Sequence, residues 1–352
     1  MFVLDEIQNY PVNWTDGMRV SAKDFSTTDK AWSDALRDVR VTLFQGNQYG
    51  LLPALRDSRD HSGYPKLEFN STSRLLTLKE CRAVTVGGYR IEITENIQYN
   101  LQVPPSFPSI SIQKEEDFSV YLTVEMFDVQ GAGKMSSDAP PRYLLSCPYY
   151  ELSVLYKSDD IGLSGFNHLK IAEYNYRSGE FILNDQYIPP CMTIDSHPKL
   201  LELFRYTGSN LKKLHDNGIM LCRDYRTDER PDVKDAVHWV EKIMLLIAQS
   251  IWTYNDYLSL QSPVQTITYF KNLSQYILSL SDLHADNAFI QKGIQSERKY
   301  YNTLADPNFT GEDLQTAFRR IDESLTSLNQ WLKALRESFR QRRPIPVEEL
   351  RK

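Results

Sequence analysis

Four runs in the second half of the chain place apolar residues at alternating steps of three and four. Leu200, Phe204, Thr207, Leu211, Leu214, Gly218 and Leu221 form the first, and Val233, Val237, Val240, Met244, Ile247, Ile251, Tyr254 and Leu258 the second. Phe270, Leu273, Ile277, Leu280 and His284 form a shorter third, and Leu314, Phe318, Ile321, Leu325, Leu328, Leu332, Leu335 and Phe339 the fourth. A 3.5-residue period keeps one side of a helix against a partner helix over many turns, so these runs predict helices that assemble on helices. The second run carries a neighbouring stripe of Ala236, Trp239, Ile243 and Leu246, which makes its face too wide for a lone two-stranded zipper and favours a multi-helix bundle. Pro198, Pro231 and Pro263 stand where a first-turn proline is tolerated. The first helix is expected to end near Cys222 and the third to run from Pro263 to about Ala305; Pro307, Gly311 and Glu312 mark the last turn before the fourth. Short links imply antiparallel neighbours. Periodicity alone leaves open whether the bundle closes within one chain or between chains.

The first half has a different rhythm. LEFNSTSRLLTL, AVTVGGYRIEI and SVYLTVEMFDV alternate apolar and polar residues; in the last, Val120, Leu122, Val124 and Met126 share one face. Period two is the mark of a strand buried on one side. Gly87-Gly88 and Ser178-Gly179 read as hairpin turns. Pro104, Pro105 and Pro108 read as a loop, and so do Gly131, Gly133, Pro140 and Pro141. Several strands at this spacing predict a β-sandwich. One helix precedes them: Ser21 and Asp24 form a capping pair, and Phe25, Trp32, Leu36 and Val39 fall on one face. The fold class is therefore α+β, an N-terminal sandwich followed by a helical bundle.

Composition narrows the function. At 352 residues, 41% hydrophobic and 24% charged, the chain is long enough for two globular domains. A net charge of −6 gives no electrostatic footprint for nucleic acid. No apolar run approaches the roughly 18–20 residues that span a bilayer, and the start carries Asp5 and Glu6 where a signal peptide wants positive charge, so a cytoplasmic location is expected. Cys81, Cys147, Cys191 and Cys222 lie too far apart in sequence for a metal knuckle or a redox pair and read as reduced, mostly buried thiols.

Catalytic patterns fail on inspection. GAGKMSS lacks a phosphate loop's first glycine, because Asp128 stands there, and Met135 follows Lys134 where Ser or Thr is needed; it reads as a flexible loop. GLSG at 162 is completed by Phe166 where a nucleophile elbow requires glycine. The histidines form no HExxH pattern, and His284, on an apolar stripe, reads as a satisfied core or interface residue. No catalytic residue, cofactor, metal site or small-molecule substrate is expected. Arg336, Arg340, Arg342 and Arg343 cluster at the end of the fourth run, either as complements to the helix dipole or as a docking surface.

Two stretches resemble a known family. PVNWTDGMRVSAKDFSTTD at 11, with Trp14, Gly17, Met18, Phe25 and Asp29, resembles the opening of the type VI secretion baseplate protein TssK family. YIPPCMTIDSHPKLLELF at 187 is similar to that family's junction signature, here Ile188, Pro189, Pro190 and Cys191; GLLPAL at 50, HLKIAEY and EFILNDQ look like further family segments. The resemblance covers about the first 200 residues. It implies a non-enzymatic adaptor at the inner face of the inner membrane: a homotrimer whose sandwich "shoulder" binds a wedge of TssF and TssG, with a helical "neck" and a C-terminal "head" that meets an envelope-anchoring complex. On that basis residues 1–192 are the arm, helix and shoulder, 193–340 the neck, and 341–352 a basic tail, with no room for a head, as in a truncated or a divergent Bacteroidetes-type member. Trp14, Gly17, Met18 and Phe25 become candidates for wedge contact or for simple burial of the arm. Ile188 to Cys191 become a rigid junction, Val240, Met244, Ile247, Ile251, Leu325, Leu328 and Leu332 a seam between chains, and Arg340, Arg342 and Arg343 an envelope-docking end. Two other readings compete: a phage-tail-like receptor-binding protein, and a carbohydrate-binding or hydrolytic sandwich with a helical appendage.

Overall fold

The computed structural model describes residues 6–44, 48–53, 65–94, 107–159, 166–292, 294, 298 and 313–341. The chain separates into two compact units, Met1–Pro198 and Lys199–Lys352. Together they contain helices and antiparallel sheets, an α+β protein.

The first unit opens with helix α1 (Ala22–Phe44). Strands β1 (Gly50–Leu51), β2 (Lys66–Asn70), β3 (Leu75–Val84), β4 (Arg90–Ile93) and β5 (Ser109–Ser111) make one sheet, in which β3 is the hub that pairs antiparallel with the other four. Strands β6 (Phe118–Met135), β7 (Tyr143–Tyr156), β8 (His168–Arg177) and β9 (Glu180–Leu183) make a second, in the order β7-β6-β8-β9. Both predicted hairpins form: β3 meets β4 across Gly87-Gly88, and Ser178-Gly179 joins β8 to β9 with positive φ at both residues, as a two-residue primed turn demands. Alternation in β6 places Val120, Leu122 and Val124 in the core. Aromatic rings link the sheets. Phe69 of β2 meets Phe181 of β9 edge-on at 5.4 Å and Tyr174 of β8 at 6.2 Å, and the Tyr156 hydroxyl accepts the Gln113 amide at 2.8 Å.

The loop expected at Gly131 and Gly133 is strand. β6 runs through both glycines to Met135 and pairs with β7 along its length, with register shifts after Glu125 and Ala132. Gly131 has no Cβ, and the Tyr143 ring of the partner strand occupies the space a Cβ would need. GAGKM is thus half of a β-ribbon, not a flexible loop, and it extends past Thr123, the last β6 residue paired with β8. Strand β7 tolerates Pro148 because it is an edge strand and Pro148 faces Val129 at the bulge.

The second unit is built from α2 (Pro198–Tyr225), α3 (Pro231–Trp252), α4 (Pro263–Leu283) and α5 (Leu314–Gln341). All four predicted stripes point inward. Phe204 stacks on Tyr254 at 4.3 Å, and the Tyr254 hydroxyl donates to the Phe204 carbonyl at 2.7 Å. Trp239 of α3 meets Trp331 of α5 edge-on at 5.0 Å, and Asn217 of α2 donates to Asn329 of α5 at 2.7 Å. After α3 the backbone widens into a π-turn over Thr253–Tyr257, which keeps Tyr254 in the core.

The third helix does not run on to Ala305 as one piece. It stops at Leu283, turns, and restarts at 288 under Asn287, whose side-chain oxygen accepts the amides of Phe289 and Ile290 at 3.0 and 3.2 Å. Arg298 reaches Asp282 at 2.9 Å and Gln291 donates to the Ser281 carbonyl at 2.9 Å, so both contact the last turns of α4. His284 sits at the break, its Nδ1 2.8 Å from Asp235 of α3, a satisfied polar residue as its place on the stripe implied.

Two measurements test these contacts. Gly50 has φ +112°, and a Cβ there would overlap the carbonyl of Pro190. Gly50→Ala is expected to lower the unfolding free energy by about 2–4 kcal/mol, read by chemical denaturation; an unchanged midpoint would contradict this. Burial lifts the Asp322 carboxyl to about 6, against the Thr207 and Asn210 donors that favour its charge. A folded pKa above the unfolded one means that Asp322 weakens the fold above pH 6 and that this penalty fades as the pH falls toward 4. Asp322→Asn should therefore raise stability at pH 8 by about 1–2 kcal/mol, discounted for partial exposure, and remove that pH slope.

Candidate interaction surface

Helix α1 turns inward the face that carries Asp34 and Arg37, with Ala31 and Val41 buried beside them. Asp34 and Arg37, each 1% exposed, pair at 2.9 Å. The other Asp34 oxygen accepts the backbone amides of Gln8 and Asn9 at 2.9 and 2.7 Å, which ties the N-terminal arm to the helix. Arg37 also donates to the Tyr89 hydroxyl at 3.2 Å, to Asp38 at 2.8 Å and to the Glu6 carbonyl at 3.3 Å. Burial works against the Arg37 charge, but its bonds to Tyr89 and Asp38 outweigh that and raise its pKa above the usual arginine value. Arg40 donates to the Gly88 carbonyl at 3.3 Å, so the β3–β4 turn also grips this face. Ser21 and Asp24 cap the start as expected, the Ser21 amide donating to the Asp24 carboxylate at 2.8 Å.

The apolar face that sequence periodicity would bury is the one left outside. Phe25 is 61% exposed and Trp32 66%, with Leu36, Val39 and Leu43 exposed beside them. Trp14 reaches this face and packs against Phe25, ring centres 6.2 Å apart, while exposed Gly17 turns the arm at φ +78° and Met18 is half-buried. Trp14 and Phe25 come together, then, but as a surface. Simple core burial does not describe them.

Ile188, Pro189, Pro190 and Cys191 form a strap on the first unit. Leu51 donates its amide to the Pro190 carbonyl at 2.7 Å, and the Met192 amide donates to the Leu51 carbonyl at 2.8 Å. Ile188, Pro189 and Cys191 are buried, Pro190 partly so. The strap therefore joins GLL at 50, a pairing of two separate segments that no local pattern announces. Burial raises the thiol pKa of Cys191, as it does for Cys81; all four cysteines are free, two buried and two half-buried.

The proposed seam between chains is filled from within. Val240, Met244, Ile247, Leu325, Leu328 and Leu332 are buried by the same chain's helices, and Ile251 is partly buried. Each of these six side chains is thus already covered within its own bundle. Arg340 is exposed on the last turn of α5, while Arg342 and Arg343 lie outside the described residues. The sequence reading also missed the exposed apolar ribbon of Val129, Met135, Leu144 and Leu145, because glycines and a proline masked its strands. Among the described residues no group of histidines, cysteines and carboxylates is arranged to hold a metal, and no helix is long and apolar enough to cross a membrane.

No family model and no curated protein matches the sequence. The fold is another matter. It matches a crystal structure of TssK with a TM-score of 0.53 and 12% identity, over 92% of this chain and 69% of that one. The chain has the TssK fold. A chain of the cryo-electron-microscopy TssK-TssF-TssG baseplate subcomplex of the type VI secretion system matches over 93% of this chain and 100% of its own, with a TM-score of 0.52 and 11% identity. A chain of a type VI secretion baseplate complex matches with a TM-score of 0.54 and 12% identity, over 92% of this chain and 99% of its own. Both compact units of this protein thus fall within the span of the TssK likeness.

The polar grip on α1 is open to test. Arg37→Met should cost about 3–5 kcal/mol, because it leaves Asp34 buried without its cation. Asp34→Asn keeps the acceptor for the arm amides and should cost only about 1–2 kcal/mol. A denaturation midpoint for Arg37→Met equal to that of wild type would show that α1 is held by something else.

Proposed function

We propose that this protein is a non-enzymatic structural subunit of a type VI secretion baseplate, acting as TssK does. The observation that supports it most is a fold likeness that spans both units and extends to chains from assembled baseplates. In this reading the two sheets are the leaves of a sandwich shoulder, residues 1–192, and residues 193–340 are the neck. The protein is a cytoplasmic homotrimer, and its shoulder binds TssF- and TssG-like wedge subunits, with Trp14, Gly17, Met18 and Phe25 in that contact. Ile188–Cys191 act as a rigid junction. Because the stripes are used within the chain, contact between copies falls to surfaces they leave exposed. Arg340, Arg342 and Arg343 dock the far end of the neck to an envelope-anchoring complex.

The experiment is light scattering on the purified chain, followed by co-purification with its cognate TssF- and TssG-like subunits. A mass of three chains and a stable ternary complex are expected; a monomer that captures neither subunit would overturn the proposal. Replacing Arg340, Arg342 and Arg343 with Glu should abolish envelope recruitment in cells and leave the trimer and the wedge complex intact. Unchanged recruitment would reject the docking role of the three arginines.

A further inference from the structure

We infer that the exposed face of α1 is a seat for an amphipathic helix of a different polypeptide, one that carries a Lys or Arg opposite Asp29. The inference rests on the wedge contact assigned above to Phe25 and names the chemistry of its occupant.

Phe25, Asp29, Trp32, Leu36, Val39 and Leu43 follow one another at steps of 4, 3, 4, 3 and 4. All six are exposed. This is the spacing that keeps one face of a helix against another helix, and in the second unit of this same chain every stripe with this step is covered by helices. On α1 the buried Asp34–Arg37 pair fixes the opposite face inward, so the stripe cannot roll into the core. An apolar patch of this length, held outward by buried charge, marks an interaction site.

Asp29 selects the occupant. Among the described residues it forms no ion pair. A second copy packed through its own α1 in parallel would set Asp29 against Asp29. Packed antiparallel about the middle of the stripe, it would set Asp29 against Val39. Either way a carboxylate is buried without a cation, which is strongly unfavourable. A lipid surface fares no better, since Asp29 lies inside the apolar stripe rather than on a polar flank. A foreign helix with one cation at the facing position satisfies both the stripe and the charge.

The test uses the full chain and two fluorescent synthetic helices of roughly 25 residues, long enough to be helical when bound. Both carry Leu at 3,4 spacing; one has Lys and the other Glu at the position facing Asp29. Wild type should bind the Lys helix about tenfold tighter than the Glu helix, Asp29→Lys should reverse the order, and Trp32→Ser with Leu36→Ser should abolish binding of both. These positions are exposed, so the variants should keep the wild-type circular dichroism and melting point. Equal affinity for the two helices, or no binding of either, overturns the inference. So does a drop in oligomeric mass in the double Ser variant, which would make the occupant a second copy. Sedimentation with phosphatidylglycerol vesicles that the double variant loses would make it a membrane, with the same consequence. Capture of the TssF- and TssG-like subunits separates the two claims. Capture that survives the double variant while the Lys helix is lost removes the wedge as the source of the helix and leaves the baseplate reading standing. A wild-type chain that binds the Lys helix yet captures no wedge subunit keeps the seat and overturns the baseplate reading.

Discussion

The pair between Asp34 and Arg37 decides which face of α1 the protein keeps to itself. Each group is expensive to bury alone, and each is made tolerable by partners the fold supplies: the arm amides of Gln8 and Asn9 for the carboxylate, Tyr89 and Asp38 for the guanidinium. These partners come from three places, the N-terminal arm, the helix itself and the β3–β4 turn. The pair therefore ties three separate segments together. It also inverts the usual rule for a surface helix, since the stripe a sequence reader would place inside is the one presented to solvent.

That inversion marks the limit of what the residues disclose by pattern. Alternation in β6, the turns at Gly87-Gly88 and Ser178-Gly179, and the four helical stripes are local signals, and local geometry realises them. The face of α1 was not legible, because periodicity reports that a stripe exists and not what covers it. Asp34, Arg37 and Asp38 on the other face were a counter-signal, though their partners lie on other segments. The break at His284–Asn287 carried a fair cue, an Asn suited to cap a helix, but no Gly or Pro to draw attention to it. The ribbon through Gly131 was hidden for the opposite reason: glycine usually marks a loop, and here it admits a tyrosine ring from the partner strand.

The stripes of the second unit carry a lesson about assembly. A 3.5-residue period announces helix-on-helix packing without saying whose helix. In this chain Trp239 meets Trp331 and Asn217 meets Asn329, so the chain is its own partner. Once a bundle is closed in this way its most regular apolar positions are spent on folding. What remains for association is the exposed remainder, above all the stripe on α1 and the ribbon of β6 and β7, and these are irregular or interrupted by charge.

An identity of 11–12% to solved TssK structures leaves few side chains in common, yet the order of elements persists through both units. Such persistence is possible because the fold needs kinds of residue at set intervals rather than particular residues: an apolar stripe, a first-turn proline, a glycine where a carbonyl must pass. Gly50 under Pro190 is one of the few places where a single residue type is compelled. A binding surface is under the same freedom, with one difference. A stripe buried in its own chain answers only to that chain, whereas an exposed stripe with a charge in its middle answers to whatever lies against it. Asp29 is therefore informative in a way the buried leucines are not, since a leucine in the core admits many apolar neighbours and an acid in a closed seam admits few.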